Sequence, residues 1–135
     1  MHTGFSLLVA DRNPHVREFL KRELGSRRYE VEVAKDGREV LAMLEGDRQC
    51  DLVVMDLDLP FVDGLTLLEE IARRRTGLPV VLHGFLGECA DHPALRCAAA
   101  CVEKKGNLDK LFSTIKEVLQ RWYPDRQAAF TETGR

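Results

Sequence analysis

The chain has 135 residues, 44% apolar and 31% charged, with a net charge of −2. That length suits one domain with a real core, and the composition is that of an ordinary globular protein. The slightly acidic balance argues against a generic nucleic-acid binder, and no apolar run is long enough to span a bilayer. Arg27-Arg28 and Arg73-Arg74-Arg75 are local basic clusters that read as solvated helix faces and ends. The N-terminus, MHTGFSLLVADR, has a short apolar run but no basic leader and no small-residue cleavage site, so a cytoplasmic protein is expected. Cys50, Cys89, Cys97 and Cys101 follow no zinc-ribbon or CxxC spacing, and small buried thiols in a reducing compartment are expected. Cys89, His92, Cys97 and Cys101 can be drawn as a metal set, but the spacing matches no standard zinc pattern.

In chain order, FSLLVA (5–10) reads as a buried strand and NPHVREFLKREL (13–24) as a helix. Asn13 is its cap, Pro14 takes the first helical position, and Val16, Phe19, Leu20 and Leu24 share a face. YEVEVA (29–34) alternates as a strand, and DGREVLAML (36–44) is a helix capped by Asp36. DLVVMD (51–56) is a continuous apolar strand. DGLTLLEEIARRR (63–75) is a helix with Leu65, Leu68, Ile71 and Ala72 on one side. LPVVLH (78–83) is a strand, residues 87–98 a weaker helix interrupted near Pro93, and ACVEK (100–104) a short strand. NLDKLFSTIKEVLQRW (107–122) is an amphipathic helix burying Leu108, Leu111, Ile115, Val118 and Leu119. Five β-α repeats predict a doubly wound parallel α/β sheet, with strands 1, 3 and 4 at its centre. Its crevice should lie at the carboxyl ends of those strands. Residues after Pro124 carry little pattern; 1–122 are expected to be the domain and 123–135 a mobile tail.

The predicted fold brings Asp11, Asp56, His83, Gly84 and Lys104 together at strand ends. Carboxylates facing a lysine there suit a hard cation or a phosphate, and an aspartate so placed can be a nucleophile that forms an acyl phosphate. A lone His such as His83 is more often structural, and one Asp–Lys pair alone is more often a salt bridge. Agreement across several strand ends makes the set a candidate site.

Over residues 5–121 the chain resembles the receiver domain of bacterial two-component response regulators. The resemblance is carried by LLVAD, NPHVREFLKREL, AKDGREVL, DLVVMDLDLPFVDGLTLLEEI, LPVVLH and VEKKGNLDKL, most tellingly by DLVVMDLDLPFVDG. It implies a flavodoxin-like strand order 2-1-3-4-5. It also implies that Asp56 is phosphorylated by a histidine kinase or phosphotransfer protein and that Lys104 contacts the phosphoryl group. Mg²⁺ would be bound by Asp11, Asp56 and the backbone carbonyl of Asp58, with Pro60 and Gly64 shaping the loop that follows. A single-domain regulator is implied, signalling to a downstream protein and dimerising or docking through the fourth helix, fifth strand and last helix (residues 90–98 and 110–121). Direct DNA binding and membrane attachment are not implied.

Four positions depart from the family pattern. Arg12 replaces the second acid after strand 1, so Mg²⁺ affinity should fall; Arg12 would pair with Asp56 or Asp58, or fill the cation's space, and an inward turn of Asp58 would partly compensate. Gly84 replaces the switch Thr or Ser, Cys101 the switch aromatic, and Lys105 the usual Pro. A phosphoaccepting receiver and a pseudo-receiver that binds partners without phosphorylation both remain open. DLDLP also resembles the Asp-x-Asp motif of haloacid-dehalogenase-type phosphatases, but it sits on the third strand rather than the first. An FMN binder would want a Ser/Thr/Gly-rich loop where DRNPH stands. Phe85, Leu86 and Phe130 are apolar at positions expected to be exposed, a weak sign of a contact surface.

Overall fold

The computed structural model describes residues 4–46, 48–87 and 91–126. The elements are β1 (Ser6–Ala10), α1 (Pro14–Ser26), β2 (Glu30–Ala34), α2 (Gly37–Met43), β3 (Leu52–Met55), α3 (Gly64–Arg74), β4 (Val80–Gly84), β5 (Ala100–Glu103) and α4 (Asp109–Trp122). Short 3-10 turns cover Pro93–Cys97 and Pro124–Arg126. All strands are parallel, in the order β2-β1-β3-β4-β5. The expected strand order and the central position of strands 1, 3 and 4 are therefore observed.

Alternation along the strands builds two cores. Leu7, Val9, Val54 and Val81 face α1 and α4, where they meet Leu20, Leu24, Ile115 and Leu119. Leu8, Ala10, Val53, Met55 and Leu82 face the other way, toward Val40, Leu67, Leu68 and Ile71 of α2 and α3. Buried on both faces, β1, β3 and β4 need continuous apolar sequence, which is why they read as unbroken runs. The helix starts follow the expected capping chemistry. Asn13 Oδ1 accepts from the His15 N–H at 2.9 Å, Asp36 Oδ1 from Glu39 at 2.9 Å, and Asp63 Oδ2 from Thr66 at 3.1 Å.

Several expectations need correction. The helix predicted over 87–98 is reduced, among its described residues, to the 3-10 turn Pro93–Cys97, with Pro93 at its start. Proline has no N–H to donate into a preceding helical turn, and the residue before it is disfavoured in the helical region. Phe19 is exposed rather than buried, with the Arg22 guanidinium over its ring at 5.2 Å. On α3, Leu67 is buried, while Leu65 and Ala72 are only half-buried. Leu86 is buried, whereas Phe85 is exposed as expected. Cys97 and Cys101 are exposed rather than buried. Cys50 is half-buried, and burial pushes its thiol up to about 11. Among the described residues no group of three or more His, Cys, Asp or Glu can hold a metal, and Cys89 lies outside them. No described helix is long and apolar enough to cross a membrane.

The boundary expected at residue 122 falls inside a packed corner. Tyr123 donates its hydroxyl to the Asp51 carbonyl at 2.8 Å, and the Arg126 guanidinium pairs with the Asp51 carboxylate at 2.8 Å. Asp51 in turn accepts from the Ser6 N–H at 2.7 Å, so the end of α4 is tied to the start of β1. Residues 127–135, with Phe130, lie outside the described segment.

Gly64 is the residue on which the β3–α3 connection closes. A side-chain carbon there would collide with the backbone carbonyl of Leu57. A carbon at Gly25, near the end of α1, would meet nothing within 4 Å. Gly64→Ala should therefore cost about 1–3 kcal/mol in a denaturant titration. Gly25→Ala should be neutral or stabilising by up to about 1 kcal/mol.

Candidate functional site

The chain runs outward from β1 to β2 and then returns to β3, so the carboxyl ends of β1 and β3 flank the switch point of the sheet. Asp11 leaves the first of these ends and Asp56 the second. Both are buried, and the Asp56 N–H donates to the Ala10 carbonyl at 3.0 Å, holding the two ends in register. Lys104 follows β5, and its N–H is fixed to the Gly84 carbonyl at 3.0 Å. Its ammonium reaches across β4 to Asp11 Oδ2 at 2.6 Å and Asp56 Oδ2 at 2.7 Å. Burial disfavours the Lys104 charge, but the two carboxylate contacts outweigh it and hold the pKa above the ordinary lysine value.

The remaining carboxylate oxygens are capped by backbone. Asp56 Oδ1 accepts from the Asp58 N–H at 2.9 Å, and Asp11 Oδ1 from the Asn13 N–H at 2.9 Å. Arg17, one turn into α1, donates to the Asp11 carbonyl at 2.9 Å. Sequence reasoning missed Arg17, because a long side chain reaching back to a backbone carbonyl has no motif. These groups open onto a cavity of about 500 Å³ lined by Asp11, Arg12, Asp56, Asp58, Phe85 and Lys104, among others.

The structure resolves the options left for Arg12. Its guanidinium pairs with Asp58 Oδ2 at 3.2 Å, and the two side chains are 56% and 79% exposed. Asp58 therefore faces outward and does not turn in to replace the missing acid. Pro60 and Phe61 carry the chain round toward Asp63 and Gly64. Phe61 has φ +74° and lies under the Arg38 guanidinium at 3.5 Å.

Gly84 lies against Asp56. A side-chain carbon there would stand 2.9 Å from Asp56 Oδ1. Cys101 lies on the exposed edge strand β5. Lys105 donates its N–H to the Glu103 carbonyl at 3.0 Å, a bond that proline at this position would forfeit.

Mg²⁺ is a poor match to this donor set. It demands near-octahedral oxygen coordination. Here both buried carboxylates are tied to an ammonium, and the position of the third acid carries a guanidinium.

The fold is that of a receiver. The model of the response regulator receiver domain matches residues 7–116, and the chain belongs to that family of signalling domains. It is 33% identical over 121 residues to the response regulator MprA of Mycolicibacterium vanbaalenii, covering 88% of this chain and 52% of that protein. It is 32% identical over 124 residues to MprA of Mycobacterium leprae, covering 90% and 54%. The chain thus spans about half the length of these curated relatives. Among solved structures it resembles the response regulator TrrA from Thermotoga maritima, determined in complex with Mg²⁺-BeF. That match has 30% identity and a TM-score of 0.77 over 84% of this chain and 98% of that one. TrrA in complex with the histidine kinase ThkA aligns at 30% identity and TM-score 0.78, over 85% and 98%. A CheY-like receiver domain protein from Methanospirillum hungatei aligns at 27% and 0.80, over 90% and 98%.

His83 is buried beside this site, on the face toward α1. Burial, followed by repulsion from Lys104, lowers its pKa below the ordinary value of 6.5, against the opposing pull of Asp11 and Asp56. The unfolded chain therefore takes up a proton that the folded chain refuses. Stability should be full above about pH 6.5 and fall as pH drops through that value toward the lower folded pKa. His83→Gln should flatten this part of the stability–pH curve in denaturant titrations; an unchanged slope would mean that other groups set it.

Proposed function

We propose that this receiver accepts a phosphoryl group on Asp56 from a histidine kinase or phosphotransfer protein and signals by protein–protein contact. The observation that carries the reading is the state of Asp56. It is a carboxylate at a strand end, held by an ammonium and a backbone N–H, on the wall of an open cavity. A nucleophile held in one orientation loses little entropy on attack, and Lys104 stands ready for the charge on a transferring phosphoryl group. Mg²⁺ accompanies the relative TrrA; here Asp11, Asp56 and the Asp58 carbonyl are the groups that would face it, and the Lys104 ammonium and Arg12 guanidinium disfavour it. The kinase seen with TrrA supports a kinase donor. Residues 1–122, with Tyr123 and Arg126 packed onto Asp51, would act as the receiver unit in the cytoplasm, without direct DNA contact. The surface of the Pro93–Cys97 turn, β5 and α4 would meet the downstream target or a second copy.

A second reading, a phosphorylation-independent interaction module, has its own support. Gly84 offers no hydroxyl, and Asp56 Oδ1 lies 2.9 Å from where a side-chain carbon would be. Cys101 offers no ring. A ligand shifts an equilibrium only through contacts that differ between two states, and both usual contacts are missing. A haloacid-dehalogenase-type reaction finds less support, because Asp58, its acid/base, faces solvent on Arg12.

Intact mass after incubation with acetyl phosphate and Mg²⁺ separates these readings. Phosphoacceptor chemistry predicts one phosphoryl adduct in the wild type and none in Asp56→Asn. No adduct, while an active receiver is labelled alongside, would leave the interaction module.

A further inference from the structure

Arg12 is the feature that the family's usual chemistry does not use. It directly follows Asp11, lines the same cavity as Asp56 and Lys104, and rests on Asp58 through a pair exposed on both sides. Exposed pairs of this kind are weakly held, so the guanidinium is available to a better anion. A phosphoryl dianion is a better one: the planar fork of Arg matches two phosphoryl oxygens and stays charged at any working pH. Charge balance points the same way. Exchanging a carboxylate for a guanidinium at position 12 makes the cavity more positive by two charges, which is what one divalent cation would bring. The same guanidinium repels such a cation from the two carboxylates that Lys104 already holds.

We propose that Arg12 is the resident cation of this site. It exchanges Asp58 for the phosphoryl oxygens and makes phosphoryl transfer to Asp56 independent of a divalent metal. The inference rests on the reading of Asp56 as the phosphoacceptor. With a small acyl phosphate as donor, an Asp56 carboxylate oxygen forms the new O–P bond. The donor's P–O bond to its acyl group breaks, and the acyl carboxylate leaves with that electron pair. No proton is taken up or released, and total charge is conserved. Lys104 and Arg12 together face the charge on the transferring group. Asp58, already exposed, is left solvated.

The test is acetyl phosphate labelling read by intact mass, in EDTA and in millimolar Mg²⁺, on the wild type, Arg12→Gln, Arg12→Asp and Asp56→Asn. Amide chemical shifts of Asp11 and Asp56 are followed in a separate Mg²⁺ titration without phosphodonor. The wild type should be labelled equally in EDTA and Mg²⁺, and its amides should not respond to Mg²⁺. Arg12→Gln should lose labelling in EDTA by about tenfold or more, the scale of one charged hydrogen bond. Arg12→Asp should be labelled only with Mg²⁺ and should gain a saturable amide shift. Wild-type labelling that requires Mg²⁺, or EDTA labelling that survives Arg12→Gln, would overturn the role of Arg12 and leave Asp56 as phosphoacceptor. No labelling under either condition would overturn both.

Discussion

One ammonium shared between two buried carboxylates organises this molecule. Asp11 and Asp56 come from strands that are neighbours in the sheet but separated in sequence by α1, β2 and α2, and Lys104 arrives from the far edge. Burying any one of the three charges alone would be costly, and the cost is offset only when all three meet. The doubly wound topology is what allows the meeting. The return of the chain from β2 to β3 leaves the ends of β1 and β3 side by side, and β4 sets the span that the lysine must cross. The same constraint holds the Asp56 carboxylate in one orientation, between the Lys104 ammonium and the Asp58 N–H.

Around that centre the chain has changed the charge of the rim and the bulk of the wall. Arg12 brings a guanidinium where the family usually has a carboxylate, and it draws the Asp58 side chain outward. Gly84 lets the Asp56 carboxylate lie against β4, close to the space that a threonine side chain would need. The segment between β4 and β5 forms, in its described part, only the 3-10 turn Pro93–Cys97. These changes leave the Asp56 carboxylate and its pairing with Lys104 intact while altering what surrounds them. This is the pattern expected if acceptance of the phosphoryl group and its readout are under separate constraints.

The parallel sheet, its central strands and the three charged residues were legible because each has a local signal, whereas the full strand order came from the family resemblance. Continuous apolar runs marked the buried strands, Asn13 and Asp36 marked helix starts, and charged residues ending apolar strands marked the site. What was not legible depended on contacts between distant segments. The periodicity of 87–98 was weak, and nothing in it predicted a 3-10 turn. The exposure of Phe19 depends on what lies across α1 rather than on its spacing within the helix. Arg17 on the Asp11 carbonyl, and Tyr123 and Arg126 on Asp51, are long-range polar contacts without sequence periodicity. The partner of Arg12 was narrowed in sequence to a short set of options; only the geometry selected Asp58.

The central claim is that, of two carboxylates sharing Lys104, Asp56 is the nucleophile. Asp56 opens further onto the cavity, with its side chain 9% exposed against 3% for Asp11. The direct measurement is reductive trapping of the labelled protein with borohydride, which converts an aspartyl phosphate to homoserine, followed by tandem mass spectrometry of the peptides spanning Asp11 and Asp56. The account predicts homoserine at position 56 alone. Homoserine at position 11, or at neither position in protein that carries a phosphoryl adduct, would contradict it.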